Sequence, residues 1–223
     1  MATHRLEILE IILRTHNVRT YRFEKPAGFQ FVPGQAADVS LVKEGWEKEL
    51  RPFTFTCLPS AGYLEFTIKS YTDHDGVTNQ LWNAKEGDFL EISDAWGAIE
   101  YKGEGTFIAG GAGVTPFIAI FRFLKETSQL GNNKLLFSNK TSNDIILKEE
   151  FRDMLGENFI NIITQEPAAS PFIGGRIDKE FLMQHVKDFS QHFYVCGPDA
   201  FTESILQALK ELGANAEALV FEK

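Results

Sequence analysis

What most constrains this 223-residue chain is a change of rhythm near Lys102. Before it, short β-rich segments follow one another closely: Leu6 to Arg14, Val18 to Phe23, Ala37 to Val42, Phe53 to Leu58, Tyr63 to Ser70 and Phe89 to Ile92. Many alternate in polarity, the period of a strand with one buried face, and Pro33-Gly34, Pro59 to Gly62 and Gly87-Asp88 separate them. Strands this close together predict an antiparallel barrel or sandwich. One helical segment interrupts them, from Gly76-Val77-Thr78 through Leu81 and Trp82 to Lys85.

Past Tyr101-Lys102-Gly103-Glu104-Gly105, strand and helix alternate. Strands are expected at Thr106 to Ala109, Lys134 to Phe137, Phe159 to Thr164, His192 to Cys196 and Ala218 to Phe221, with helices starting near Thr115, Leu147, Asp178 and Asp199. This predicts a doubly wound parallel sheet with right-handed crossovers and helices on both faces. The expected organisation is two domains: an antiparallel β-barrel over 1–102 and an α/β domain over 103–223.

Composition removes several classes of function. A net charge of −9 disfavours nucleic acid and anionic membrane surfaces, which reward clustered Lys and Arg. Cys57 and Cys196 stand far apart and form neither a disulfide framework nor a metal-ligand cluster. His4, His16, His74, His185 and His192 show no metal-ligand or triad spacing and are assigned structural or surface roles. Apolar runs such as Ile8 to Leu13 are too short to span a bilayer, and the start lacks a signal-like stretch, so the expectation is a soluble, cytoplasmic protein. Of the 20 phenylalanines most belong to the core, leaving a few to face a flat aromatic cofactor.

Thr106 to Ala109 runs directly into Gly110-Gly111-Ala112-Gly113-Val114-Thr115-Pro116, followed by the apolar helical stretch Phe117 to Leu124. Glycines let backbone N–H groups approach a pyrophosphate, the helix N-terminus adds partial positive charge, and Pro116 suits a first turn. A tight structural turn explains the same residues, since Pro116 breaks the strict G-x-G-x-x-G pattern. Both readings stand at this point.

Three further segments resemble signatures of the ferredoxin–NADP reductase-like flavoenzyme family, and the resemblance covers nearly the whole chain. Arg51-Pro52-Phe53-Thr54 is similar to its Arg-x-Tyr-Ser/Thr motif, with phenylalanine for tyrosine. The resemblance implies a fork of donors from Arg51 to the FAD diphosphate, a Phe53 ring on the isoalloxazine, and a Thr54 hydroxyl for flavin N5. Gly76-Val77-Thr78-Asn79 resembles the Gly-x-x-Ser/Thr that opens the barrel domain's lone helix and would meet the pyrophosphate, while Thr78 is also a competent N-cap. Lys69, in the preceding strand, joins the cofactor-binding candidates. The family's proline–x–glycine turn is replaced by Asp94-Ala95-Trp96-Gly97, so Trp96 either borders adenine or simply packs.

Tyr194-Val195-Cys196-Gly197-Pro198-Asp199 matches the family's Cys-Gly-Pro motif almost letter for letter. Strand C-termini in open α/β sheets face the ligand crevice, so the resemblance implies that Cys196 sits near the nicotinamide with Gly197, Pro198 and Asp199 beside it. Cys57 is assigned inert packing. Gly111, Gly113, Thr115 and Pro116 would hold the dinucleotide, and Ser138-Asn139-Lys140-Thr141 would lie near the adenosine ribose. Lys140, with no acid in that run, leans towards NADPH over NADH. Phe221 and Glu222 are candidate site neighbours.

The implied protein resembles a single-chain reductase of the ferredoxin or flavodoxin type. FAD and a nicotinamide dinucleotide are its cofactors, Thr54 and Cys196 its catalytic candidates, and its acceptor is external, such as ferredoxin or flavodoxin. Two cysteines exclude a plant-type iron–sulfur cluster in this sequence, which needs four thiolates. Alternatives are an FAD-binding electron-relay or regulatory subunit, an NAD(P)H:flavin reductase, and a non-catalytic dinucleotide-binding module.

Overall fold

Among the residues that the computed structural model describes (3–71, 75–97, 99–167 and 169–221), twelve strands form two six-stranded sheets. The chain divides into two compact units, residues 1–97 with 115–122, and residues 98–114 with 123–223.

In the first unit the strands are β1 (Thr3–Thr15), β2 (Val18–Glu24), β3 (Ala36–Leu41), β4 (Arg51–Thr54), β5 (Tyr63–Lys69) and β6 (Phe89–Ser93), in the order β4-β3-β6-β1-β2-β5. Every pairing is antiparallel, as the close strand spacing requires. A bridge between Phe55 and Phe66 joins the two outer strands and curls the sheet into a nearly closed barrel. Its interior holds Leu6, Ile8, Tyr21, Phe23, Val39, Phe55, Phe66, Leu90 and Ile92. Phe55 stacks on Phe31 at 4.5 Å between ring centroids and lies 4.9 Å from Phe66. The Tyr21 hydroxyl donates to the Leu81 carbonyl at 2.9 Å, tying β2 to α1 (Val77–Trp82), and burial pushes its ionisation up to about 12, so it stays a neutral donor.

Where a strand from Phe53 to Leu58 was expected, β4 instead begins at Arg51 and ends at Thr54. The reason is the barrel corner. Phe55 N–H still reaches the Gln35 carbonyl on the β3 side at 3.0 Å, but Thr56 N–H already bonds Glu65 of β5 at 2.8 Å, so the chain crosses between strands there. Pro52, which has no N–H, is tolerated because β4 has a ladder only to β3.

In the second unit β7 (Gly105–Gly110), β8 (Lys134–Asn139), β9 (Phe159–Ile163), β10 (Ile173–Gly174), β11 (His192–Cys196) and β12 (Leu219–Phe221) run parallel in the order β10-β9-β8-β7-β11-β12. The helices α2 (Thr115–Glu126), α3 (Lys148–Leu155), α4 (Lys179–His185) and α5 (Asp199–Glu211) begin at or next to the predicted positions. Two-residue β10 carries too short a pattern to be read from sequence. Ile108, Leu136, Ile162, Phe193 and Val195 pack with Phe181, Leu182, Ile205 and Leu209 in one core. Tyr194 is fully buried, and its hydroxyl accepts from the N–H groups of Lys102 and Gly103 and donates to the Gly103 carbonyl at 2.7 Å. Among the described residues, no helix is long and apolar enough to cross a membrane.

One carboxylate is buried outright. Glu65, on β5, accepts from Arg22 Nε at 2.9 Å, from Arg122 Nη1 at 2.7 Å and from the Thr56 hydroxyl at 2.9 Å. Burial pushes its pKa up, but the Arg122 charge and the bonds from Arg122, Arg22 and Thr56 outweigh it and hold the carboxyl below its usual value. A depressed folded-state pKa contributes stability above the unfolded value and loses it as pH falls through the folded one. Glu65→Gln should therefore cost about 3 kcal/mol near neutral pH and flatten the fall in Tm on acidification below about pH 4.3. Thermal melts of both proteins between neutral and acid pH check this, and parallel curves would contradict it.

Candidate functional site

Two groups of residues stand out, one in each unit. In the first, β4 presents Arg51 and Pro52 exposed and Phe53 and Thr54 half-buried. Arg51 spends one nitrogen on the neighbouring Leu50 carbonyl at 2.6 Å and keeps Glu49 at 3.8 Å, leaving much of its guanidinium fork to solvent. The Phe53 ring packs on the barrel core, 6.4 Å from Phe66. Among the described residues the Thr54 hydroxyl makes no hydrogen bond.

At the far end of β5, half-buried Lys69 leads to Ser70, whose hydroxyl donates to the Thr78 carbonyl at 2.9 Å. Lys69 thus stands one residue before the one bonded to Thr78. The sequence allowed Thr78 as the N-cap of α1, but Gly76 occupies that place in extended backbone. Thr78 lies two residues further in, and its hydroxyl accepts instead from Tyr71 N–H at 3.4 Å. Among the described residues no side chain caps α1. Trp96 pairs by backbone with Ala36, which also pairs with Thr54, and leaves part of its ring exposed.

In the second unit the turns after β7 and β11 meet. Ala109 pairs with Cys196 across the sheet, and a Cβ on Gly113 would collide with the Cys196 carbonyl. Gly197 is likewise closed in, with the Phe201 ring 2.6 Å from where its Cβ would stand and Gly110 N at 3.2 Å. These two glycines are therefore required by close backbone packing. Gly111 differs: its φ is +53° and the space beside it is open. The residues Gly111–Val114 form a 3-10 turn that flows into α2, with Pro116 in its first turn as expected. Pro198 and Asp199 open α5, and the Cys196 thiol is half-buried and outside any disulfide. Burial pushes the Cys57 thiol up to about 12, in keeping with inert packing.

At the end of β8, Ser138 pairs with Gly110, and the next residue is Asn139. Asn139 is 5% exposed, yet neither atom of its carboxamide has a partner. Such a group costs about 1–3 kcal/mol unless something satisfies it. Lys140 is exposed, while Asp144 is spent on a capping box, accepting from Thr141 N–H at 2.9 Å and its hydroxyl at 2.7 Å. Sequence reasoning missed Glu166, whose carboxylate accepts from Ser142 N–H at 2.6 Å and puts an acid beside the Ser138 to Thr141 run. No local motif marks it, because the contact joins loops after two different strands. Phe221 is half-buried beside Val195, whereas Glu222 and His74 lie outside the described residues.

A glycine turn leading into a helix, an orphaned carboxamide and a half-buried thiol lie at the C-terminal edge of a parallel sheet, the edge where open α/β folds take their ligands. Residues 5–101 match the oxidoreductase FAD-binding domain family and residues 107–207 the oxidoreductase NAD-binding domain family. The chain belongs to the ferredoxin–NADP reductase-like family of flavoproteins. It is 26% identical over 216 residues to NADH oxidoreductase HCR of Escherichia coli, covering 95% of this chain and 65% of that protein, so it spans just under two thirds of that relative. It is 27% identical over 233 residues to NADH-cytochrome b5 reductase 1 of Neosartorya fischeri, covering 93% of this chain and 75% of the relative. The fold matches the flavohem-like FAD/NAD-binding domain of nitric oxide dioxygenase from Vibrio cholerae with a TM-score of 0.86 at 19% identity, covering 98% and 97% of the two chains.

The steric difference between the glycines is measurable. Gly113→Ala should cost about 3 kcal/mol, because backbone must move, and Gly111→Ala about 1 kcal/mol for its left-handed conformation. Thermal denaturation of the two variants checks the ranking, and an equal or reversed order would contradict it.

Proposed function

We propose that this chain is an FAD-dependent oxidoreductase that carries electrons from a reduced nicotinamide dinucleotide to an external acceptor. Residues 1–102 serve as the FAD-binding domain and residues 103–223 as the dinucleotide-binding domain. The observation that carries the reading is the convergence at one sheet edge of the open Gly111 turn, Cys196 and the buried, unpartnered Asn139. Neither atom of that carboxamide is satisfied among the described residues, a cost that a bound dinucleotide would relieve.

The barrel residues fit FAD. Arg51 offers the exposed part of its guanidinium fork to a diphosphate, the start of α1 with Gly76, Val77 and Thr78 offers backbone donors, Lys69 adds a positive charge, and the Thr54 hydroxyl is a donor for flavin N5. Phe53, held against Phe66, gives the ring a fixed aromatic neighbour. In the second unit Gly111, Gly113, Thr115 and Pro116 receive the pyrophosphate, Asn139 and Lys140 the adenosine, and Cys196, Gly197, Pro198 and Asp199 the nicotinamide end. Bound flavin supplies the acceptance of two electrons from a nicotinamide and their onward delivery singly or in pairs.

Lys140 supports NADPH, whereas Glu166 supports NADH, the donor favoured in this reading. A 2′-phosphate near Ser142 would meet that carboxylate, whereas a 2′-hydroxyl can donate to it. The acceptor is a separate electron carrier, with ferredoxin, flavodoxin and, by analogy with the fungal relative, a haem protein as the classes to test. An electron-relay subunit that binds FAD without turning over nicotinamide is the second reading.

The protein reconstituted with FAD should show a flavin spectrum that NADH bleaches anaerobically faster than NADPH does; stable colour with both would support the relay subunit. Arg51→Ala should weaken FAD affinity about tenfold, read by flavin fluorescence titration, and unchanged affinity would remove that assignment. Cys196→Ala should slow flavin reduction in stopped flow by about tenfold or more while FAD content holds, and an unaltered rate would end its role.

A further inference from the structure

We infer that Arg122 is a positioning residue for the electron-transfer step, clasping α2 to the segment of chain that directly follows Thr54; this rests on the flavoenzyme reading above. Arg122 Nη1 donates to the Thr56 carbonyl at 2.6 Å and to Glu65 Oε1 at 2.7 Å. The Thr56 hydroxyl donates to the same Glu65 oxygen at 2.9 Å. One guanidinium thus holds both the backbone and, through Glu65, the side chain of the residue two beyond Thr54. Its own side chain is 18% exposed, so little water competes for these bonds.

The other ends of the clasp are fixed as well. Glu65 Oε2 is held by Arg22 Nε at 2.9 Å, and Arg22 also binds Glu10 at 2.8 Å. The Thr56 hydroxyl lies 3.2 Å from that of Thr67, which lies 2.9 Å from that of Thr20, to which Arg14 Nε donates at 2.9 Å. A continuous polar network therefore runs from β1 through β2 and β5 to the corner after β4, and Arg122 joins it to α2.

The helix transmits this grip. α2 starts at Thr115, immediately after the Gly111–Val114 turn, and Phe117, Ile118, Ala119, Ile120 and Phe121 between that start and Arg122 are all buried. Seven residues of packed helix are a stiff rod about 10 Å long. Residues 115–122 belong to the same compact unit as the barrel, so the rod is pinned at the corner that directly follows Thr54. Besides pairing with Glu65, Arg122 makes a bond that charge neutralisation does not require: its donation to the Thr56 carbonyl fixes the position of the backbone itself.

The test uses the FAD-loaded protein. Arg122→Met should lower the limiting rate of flavin reduction at saturating NADH by about tenfold or more, with the apparent dissociation constants for FAD and NADH changed less than about threefold. Arg122→Lys, which keeps the charge and one donor, should recover most of that rate. Hydrogen exchange without dinucleotide should show faster exchange at residues 55–57 and 115–122 in Arg122→Met. A wild-type limiting rate in Arg122→Met overturns the inference, as does unchanged exchange in both segments. Should Arg122→Met fail to fold because Glu65 keeps an excess buried charge, Arg122→Met/Glu65→Gln removes that charge and is read the same way; failure of both to fold overturns a positioning role in favour of a structural one. If neither dinucleotide reduces the wild-type flavin, the flavoenzyme reading fails, and the exchange experiment alone still decides whether the clasp exists.

Discussion

Burying a carboxylate strips it of hydration worth several kcal/mol, which only partners of excellent geometry return. The barrel does this at Glu65, on the outside of β5, and much of the first unit is arranged around the consequence. Arg22 must project from β2, Thr56 must turn at the corner of the barrel, and the second turn of α2 must lie over the strands so that Arg122 arrives. The same corner is where β4 leaves β3 and Phe55 bridges to Phe66. Barrel closure, the exit of the flavin-signature strand and the seating of α2 are thus a single event built on one charge.

The second unit depends on a different economy of space. Parallel neighbours β7 and β11 end side by side, and their turns must pass each other at the crevice edge. Glycine at 113 and 197 permits this because no side chain fits between the turn and the Cys196 carbonyl or the Phe201 ring. The crossing fixes the turn after β7 against the backbone of Cys196 and Gly197. Gly111, free of neighbours and in left-handed backbone, is then the glycine whose surroundings are open to a ligand.

Fold class was legible because periodicity is local: alternation of polarity marks strands, and strand–helix alternation marks a parallel sheet. The helices at Thr115, Leu147, Asp178 and Asp199 were legible for the same reason, through Pro116 and the Asp178 cap on Phe181 N–H. Contacts between distant segments were not. The sequence offered Gly113 as an opening for a ligand, whereas its first constraint is the backbone of Cys196. Thr78 had the right chemistry for a cap, yet Gly76 takes the position because Thr78 is drawn to Ser70 and Tyr71. Glu65 and Arg122 are 57 residues apart, and nothing in either neighbourhood announces the other.

Glu166 illustrates why charges that meet at the edge of the sheet are hard to read from sequence. Lys140 reads as a phosphate partner in sequence because it follows β8, the strand expected beside the ribose. Its exposed side chain makes no such commitment, while Glu166 is brought in from the loop after β9 and anchored on Ser142 N–H. A charge held by a hydrogen bond at a fixed place outweighs a nearer charge on a flexible, solvated stem, since the latter pays side-chain entropy to engage and is screened by water. Which of the two charges is anchored is a property of the folded edge of the sheet, not of either local stretch of sequence.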